Sequence, residues 1–165
     1  MISVRDMTSR DYVDVREHLT QCWHDAYAHL MQPSDFANML ASLNDPNLGL
    51  IAPDALALIA LDNQDNRVVG TAIAAERHGV GYVWGMYVAP GKKRNGIGRT
   101  LINAVLARLP SANQLSVVVL KASSDAMALY KAQGFASVQD SAHELAPGRT
   151  ERATLLVLNR SSAPH

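Results

Sequence analysis

Pro90-Gly91-Lys92-Lys93-Arg94-Asn95-Gly96-Ile97-Gly98-Arg99-Thr100-Leu101 is the stretch on which the reading of this 165-residue chain turns. It follows an apolar run, Tyr82-Val83-Trp84-Gly85-Met86-Tyr87-Val88, with the length and composition of a strand. Behind it Ile97, Leu101, Ala104 and Val105 recur at helical spacing. A strand therefore runs into a basic, glycine-containing turn and then into a helix. The first N–H groups of a helix have no partner within it, and they carry the positive end of its dipole. Gly96 and Gly98 have no side chains to keep an anion from that backbone. The turn is predicted to be an anion site, suited to the phosphates of a nucleotide-like cofactor. It is not a dinucleotide fingerprint, because the third glycine is missing, and no Gly-Lys-Ser/Thr makes it a P-loop.

Charge is distributed to match. The chain has 15 basic and 15 acidic residues, yet no Asp or Glu lies between Glu76 and Asp125. That interval holds Arg77, Lys92, Lys93, Arg94, Arg99, Arg108 and Lys121, leaving eight basic and fifteen acidic residues elsewhere. Such polarity in a neutral protein points to a local field for an anionic ligand. Nucleic acid is a poor fit: no stacking aromatics interleave with the basic residues, and the isoelectric point is about 7.0.

The rest of the chain reads as one soluble α/β unit. An apolar content of 48 % with 18 % charged residues is that of a globular protein. No apolar run is long enough for a bilayer and Met1 opens no secretory signal, so no membrane partner is expected. Cys22 is the only cysteine, which excludes an internal disulfide and makes cytoplasmic residence the default expectation. Ile2 to Arg5 alternates as a short strand. Thr8-Ser9-Arg10-Asp11 has capping-box spacing and opens a helix towards Met31. Pro33-Ser34-Asp35 starts another helix, ending before Asn44-Asp45-Pro46. Ala55 to Leu61, Val68 to Ala75 and Tyr82 to Val88 are predicted as a three-strand meander. Leu115 to Leu120 is a further strand, and Phe135 to Val138 with Thr154 to Leu158 form a final antiparallel pair.

Strand, Pro90, basic loop, Gly96-Ile97-Gly98 and amphipathic helix together resemble the acetyl-coenzyme A signature of the Gcn5-related N-acetyltransferases. The segment Ala126-Met127-Ala128-Leu129-Tyr130-Lys131-Ala132-Gln133-Gly134-Phe135 is similar to that family's helix after its central strand. The resemblance is strongest from Val68 to Phe135. It implies a single-domain α/β acyltransferase fold over residues 1–165, with a mixed, mostly antiparallel sheet flanked by helices. It also implies transfer of an acetyl group from acetyl-coenzyme A to a primary amine of a small molecule or peptide, by direct attack in a ternary complex. A homodimer is left open.

The same resemblance assigns roles. The cofactor's pantetheine arm would lie along Met86, Tyr87 and Val88, where a main-chain N–H would polarise the thioester carbonyl. Lys93, Arg94, Asn95, Gly96, Ile97, Gly98 and Arg99 would hold the pyrophosphate, and Lys92, Arg94 and Arg99 would reach the outer phosphates. Lys93 stands where the family pattern has Arg or Gln, and lacks arginine's bidentate fork. Ser123 stands where many relatives have Asn. Tyr130 would protonate the departing thiolate, its phenol having an ordinary pKa near 10.

The general base is less determined. The position at which some relatives have a strand glutamate is Tyr82, and Glu76 is the nearest acid in sequence. His24, Asp25, His78 and an ordered water are the alternatives. Trp23 to Leu30 is expected on the acceptor side, with Trp23 in the core and Tyr27 assigned to neither core nor pocket. No metal is implied, since no His or Cys cluster has ligand spacing. Two further readings remain: a non-catalytic acyl-coenzyme A binding or sensor module, and an interaction domain using the basic stretch.

Overall fold

The computed structural model of the protein describes residues Met1 to Arg160. Strand β1 (Ile2–Asp6) leads through a 3-10 turn into α1 (Tyr12–Tyr27) and then α2 (Pro33–Ala41). Three strands follow, β2 (Leu56–Asp62), β3 (Arg67–Arg77) and β4 (Val80–Val88), then α3 (Ile97–Arg108). β5 (Gln114–Leu120), α4 (Ser124–Ala132), β6 (Ala136–Ala146) and β7 (Arg149–Asn159) complete the order. The strands form one mixed seven-stranded sheet, β1-β2-β3-β4-β5-β7-β6. The β4–β5 pair is parallel, whereas β1–β2, β5–β7 and β6–β7 are antiparallel. This is the element order and the α/β class that the sequence predicts.

Local chemistry sets the boundaries. The Asp11 carboxylate accepts from the Thr8 N–H at 2.8 Å, closing the expected cap. Arg5 grips the same carboxylate with two nitrogens at 2.9 Å, holding the Asp11 pKa down to about 2. The first helix stops at Tyr27, where φ is −125°, and a 3-10 turn over Ala28–Leu30 covers the remaining distance to Met31. β3 and β4 are joined by His78 and Gly79, both at positive φ, the conformation that a tight hairpin needs.

The final pair is longer than predicted. β6 and β7 have eleven residues each and pair from Ala136–Val157 to Ala146–Arg149. β6 is an edge strand with almost every side chain exposed, so its polar sequence shows no alternation and reads as loop. Register shifts near Ser137 and Glu144 interrupt its ladder, as is common on sheet edges.

The chain divides into two compact units, Met1–Ile73 with Gly85–Ala104, and Ala74–Trp84 with the chain from Val105 onward. In the first, Val15 and Leu19 of α1, Leu58 and Ile59 of β2, Ile73 of β3, and Ile97 and Leu101 of α3 are buried to 1 % exposure or less. Burial of each such Leu or Ile contributes about 1.5–3 kcal/mol. Gly70 lets the start of α3 approach β3, because a Cβ there would stand 2.9 Å from both Ile97 Cγ2 and Leu101 Cδ1. In the second unit Val105, Leu115, Val117, Phe135 and Leu156 are buried together with Tyr130.

Candidate active site

The basic turn lies in the first unit. A 3-10 turn over Pro90–Lys92 gives way to extended Lys93, and α3 starts at Ile97. Arg94 and Gly96 both have positive φ, 68° and 78°. A non-glycine residue held there costs on the order of 1 kcal/mol, and such positions concentrate at ligand-binding loops. The first intrahelical bond runs from the Thr100 N–H to the Gly96 carbonyl at 3.0 Å. The N–H groups of Ile97, Gly98 and Arg99 therefore precede the helical ladder. No acidic residue lies in the first turn of α3 to compete for them. Ile97 and Gly98 are buried while Arg94, Asn95, Gly96 and Arg99 are exposed, so the turn is anchored from beneath and open above. The Asn95 amide braces it by donating to the Lys92 carbonyl at 3.2 Å.

The cations are less uniformly aimed than their sequence suggests. Lys92, expected at the outer phosphates, is paired with Asp62 at the end of β2, Nζ to Oδ2 3.3 Å. The Asp62 carboxylate is held below its ordinary range first by the Gln64 N–H and then by Lys92. Lys93 pairs with Asp25 of α1 at 3.1 Å. This gives Asp25, weighed above as a base, the role of counter-ion. Arg94 and Arg99 remain exposed at the turn.

Met86, Tyr87 and Val88 are half-buried on β4, ahead of the turn. Gly85 breaks the regular strand with φ 58°, and a Cβ there would meet Ile73 Cδ1 at 2.8 Å. Around this break, side chains reach main-chain carbonyls. The Thr71 hydroxyl donates to the Gly85 carbonyl at 3.0 Å. His18 Nε2 lies 3.5 Å from that hydroxyl, and Cys22 Sγ lies 3.7 Å from the Val88 carbonyl. The Ala89 N–H donates to Val69 at 2.9 Å. Burial pushes the His18 pKa down to about 4 and the Cys22 thiol up to about 12, so the first is a neutral imidazole and the second an inert thiol.

His18, Thr71 and Cys22 escape a motif search because none belongs to a motif. The signal for them is positional. His18 sits three residues after Val15 and four before Cys22, on the helix face that α1 buries, and Thr71 interrupts an apolar strand run. Trp23 is buried as expected, with its Nε1 lacking a hydrogen-bond partner. The Tyr27 hydroxyl meets the Tyr87 hydroxyl at 2.8 Å, and their rings are perpendicular at 6.2 Å.

His24, the other first-unit candidate for the base, packs edge-on against Phe36 with ring centroids 4.8 Å apart, whereas Tyr130, Ser123, Glu76, His78 and Tyr82 lie in the second unit. Tyr130 of α4 is 4 % exposed, and its ring packs edge-on against Phe135 with centroids 5.2 Å apart. Ser123 occupies the N-cap position of α4, but its hydroxyl makes no capping bond. Glu76 is half-buried two residues before the His78–Gly79 turn, and its neighbour Arg77 lies 5.7 Å over the Trp84 ring. Tyr82 is 42 % exposed on β4. Among the described residues no group of three or more His, Cys, Asp or Glu is placed to hold a metal ion, and no helix is long and apolar enough to cross a membrane.

The sequence model of the acetyltransferase (GNAT) family matches residues 12–135, which include the strand, the turn and both helices just described. The chain belongs to the GNAT acetyltransferase family. No curated protein sequence matches it. Solved structures share its fold. The ribosomal-protein-S18-alanine N-acetyltransferase of Escherichia coli has a TM-score of 0.70 at 18 % identity, over 100 % of this chain and 97 % of that one. The PaiA N-acetyltransferase of Thermoplasma acidophilum, in complex with coenzyme A, scores 0.72 at 16 % identity over 96 % and 99 %. NAA60 of Arabidopsis thaliana, in complex with acetyl-CoA, scores 0.66 at 18 % identity over 98 % and 100 %. This GNAT chain thus has the family's mixed sheet and helices, and it is an acyltransferase by class.

Proposed function

We propose that this GNAT protein is a single-domain N-acetyltransferase that moves the acetyl group of acetyl-CoA to a primary amine. The observation that carries the reading is the Lys93–Gly96 turn at the head of α3. It offers N–H groups ahead of the helical ladder and an open face with no acid in the helix's first turn. The pyrophosphate sits on the N–H groups of Ile97, Gly98 and Arg99, with Arg94, Arg99 and Lys93 supplying positive charge. Ser123, whose hydroxyl is not used as a cap, donates to the cofactor.

In the reaction the amine nitrogen attacks the thioester carbonyl carbon, and the C–S bond breaks with its electron pair leaving on sulfur. Tyr130 gives its hydroxyl proton to that sulfur. The proton lost by the amine passes to Glu76 or, through an ordered water, to solvent. No metal enters this scheme. The acidic balance outside the basic stretch favours a cationic amine, small molecule or peptide, as acceptor.

Acetyl-CoA binding tests the reading. A ligand that binds only the folded chain raises its melting temperature, by about 2.7 kcal/mol of stabilisation at a hundredfold excess over Kd. A thermal shift and a calorimetric heat with acetyl-CoA are expected. Both should be weaker for Gly98→Val, which puts a branched side chain where phosphate must approach. Neither shift nor heat with the wild-type protein would remove the reading.

A further inference from the structure

We infer that Thr71, braced by His18, is a positioning residue that aims a main-chain donor of β4, the N–H of Met86, at the acyl carbonyl of the bound thioester. The inference rests on the acetyl-transfer reading above. A trans peptide is planar, and its C=O and N–H point in opposite directions. Holding the Gly85 carbonyl therefore sets the direction of the Met86 N–H. Thr71 holds that carbonyl with its hydroxyl at 3.0 Å. His18 Nε2 lies 3.5 Å from Thr71 Oγ1, so the hydroxyl that sets this peptide plane is itself flanked by a ring nitrogen. The Met86 N–H must then project from the opposite side of that plane. The peptide that ends β4 shows the alternative: Cys22 lies at the Val88 carbonyl, and the Ala89 N–H beyond it is used within the protein, on Val69.

The cluster is buried. His18 is 4 % exposed and Thr71 1 %, so water does not compete for the bond to the Gly85 carbonyl. Polar side chains at such depth cost stability unless they are bonded, and valine would fill the space of Thr71 without that cost. What they supply is orientation. The positive φ of Gly85 turns its peptide out of the regular pleat, and the hydroxyl of Thr71 catches it. A peptide whose carbonyl accepts a hydrogen bond is also polarised, which makes its N–H a stronger donor. Donors fixed before the reaction stabilise charge on a carbonyl oxygen without reorganising when it develops.

The test reads the carbonyl itself. Acetyl-CoA labelled with carbon-13 at the acetyl carbonyl is bound to the wild-type protein and to Thr71→Val, Thr71→Ser, His18→Leu and His18→Gln, and its stretching frequency is measured by difference infrared spectroscopy. The inference expects the frequency to fall on binding to the wild type. It should return most of the way to the free value in Thr71→Val and His18→Leu. Thr71→Ser, which keeps the hydroxyl, should preserve the fall, and His18→Gln should recover part of it. Affinity for coenzyme A without an acyl group should not follow the same order. Bound ligand with no frequency change in the wild type overturns the inference, as does a change that Thr71→Val and His18→Leu leave intact. Failure of the wild type to bind acetyl-CoA at all is a different result, and it overturns the acetyl-transfer reading instead.

Discussion

At the scale of single residues, the ion pair between Lys93 and Asp25 most alters the sequence reading. Lys93 occupies the first position of the pyrophosphate pattern, yet at 3.1 Å it already has a carboxylate partner. In the proposed complex a pyrophosphate competes with that carboxylate. Exposed pairs of this kind contribute about 0.2–1 kcal/mol, so Asp25→Asn should tighten coenzyme A binding by roughly 1.5- to 5-fold, whereas Lys93→Ala should weaken it. Calorimetric titration of both variants checks the pair of signs. Tyr130→Phe keeps the ring against Phe135 and removes only the donated proton. Turnover should fall by about 10-fold or more with coenzyme A affinity little changed, under conditions where chemistry limits the rate; unchanged turnover would leave Tyr130 a packing residue. The turn and the helix that carries Tyr130 were legible from sequence because each belongs to a spaced motif. The partners of Lys92 and Lys93 were not, since Asp62 and Asp25 lie about thirty and seventy positions away along the chain.

At the scale of elements, the sheet and helices were legible wherever one face is buried. The meander from β2 to β4 and the helix α3 show their periods clearly, because packing imposes them. β6 was legible only in its first few residues. Its order comes from the ladder with β7, and backbone bonds leave no imprint on side-chain pattern. The contact between α3 and β3 gives a prediction of its own. Gly70→Val would drive a branched side chain into Ile97 and Leu101, which already stand 2.9 Å from a Cβ at that position. Overpacking of this kind costs about 1–3 kcal/mol, and it should push the N-terminal turn of α3 outward. Urea unfolding should show the lost stability and calorimetry a weakened coenzyme A affinity. Loss of stability with unaltered affinity would mean that the turn does not depend on this packing.

At the scale of the whole molecule, stability and activity meet at β4. His18 has a folded-state pKa of about 4 against an ordinary 6.5, so the unfolded chain takes up its proton first. Its contribution is constant above pH 6.5 and is lost as pH falls from 6.5 towards 4, by about 3 kcal/mol at most. Asp11 has a separate window: it is lowered to about 2 from 3.8, and its stabilisation disappears as pH falls through that lower interval. Melting curves of the wild type should therefore weaken between pH 6.5 and 4, and the same interval should be flatter for His18→Gln. An equal slope in both proteins would place the titrating group elsewhere. The account as a whole stands on acetyl transfer. The most direct measurement incubates the wild-type protein with acetyl-CoA and a panel of amines, polyamines, aminoglycosides and peptide N-termini, and follows free thiol and acetylated amine together. The account predicts amine-dependent thiol release matched mole for mole by acetylated product, with cationic acceptors preferred. Tight binding of acetyl-CoA with no amine-dependent thiol release across that panel would contradict it, and would leave a chain that holds the thioester without transferring its acyl group.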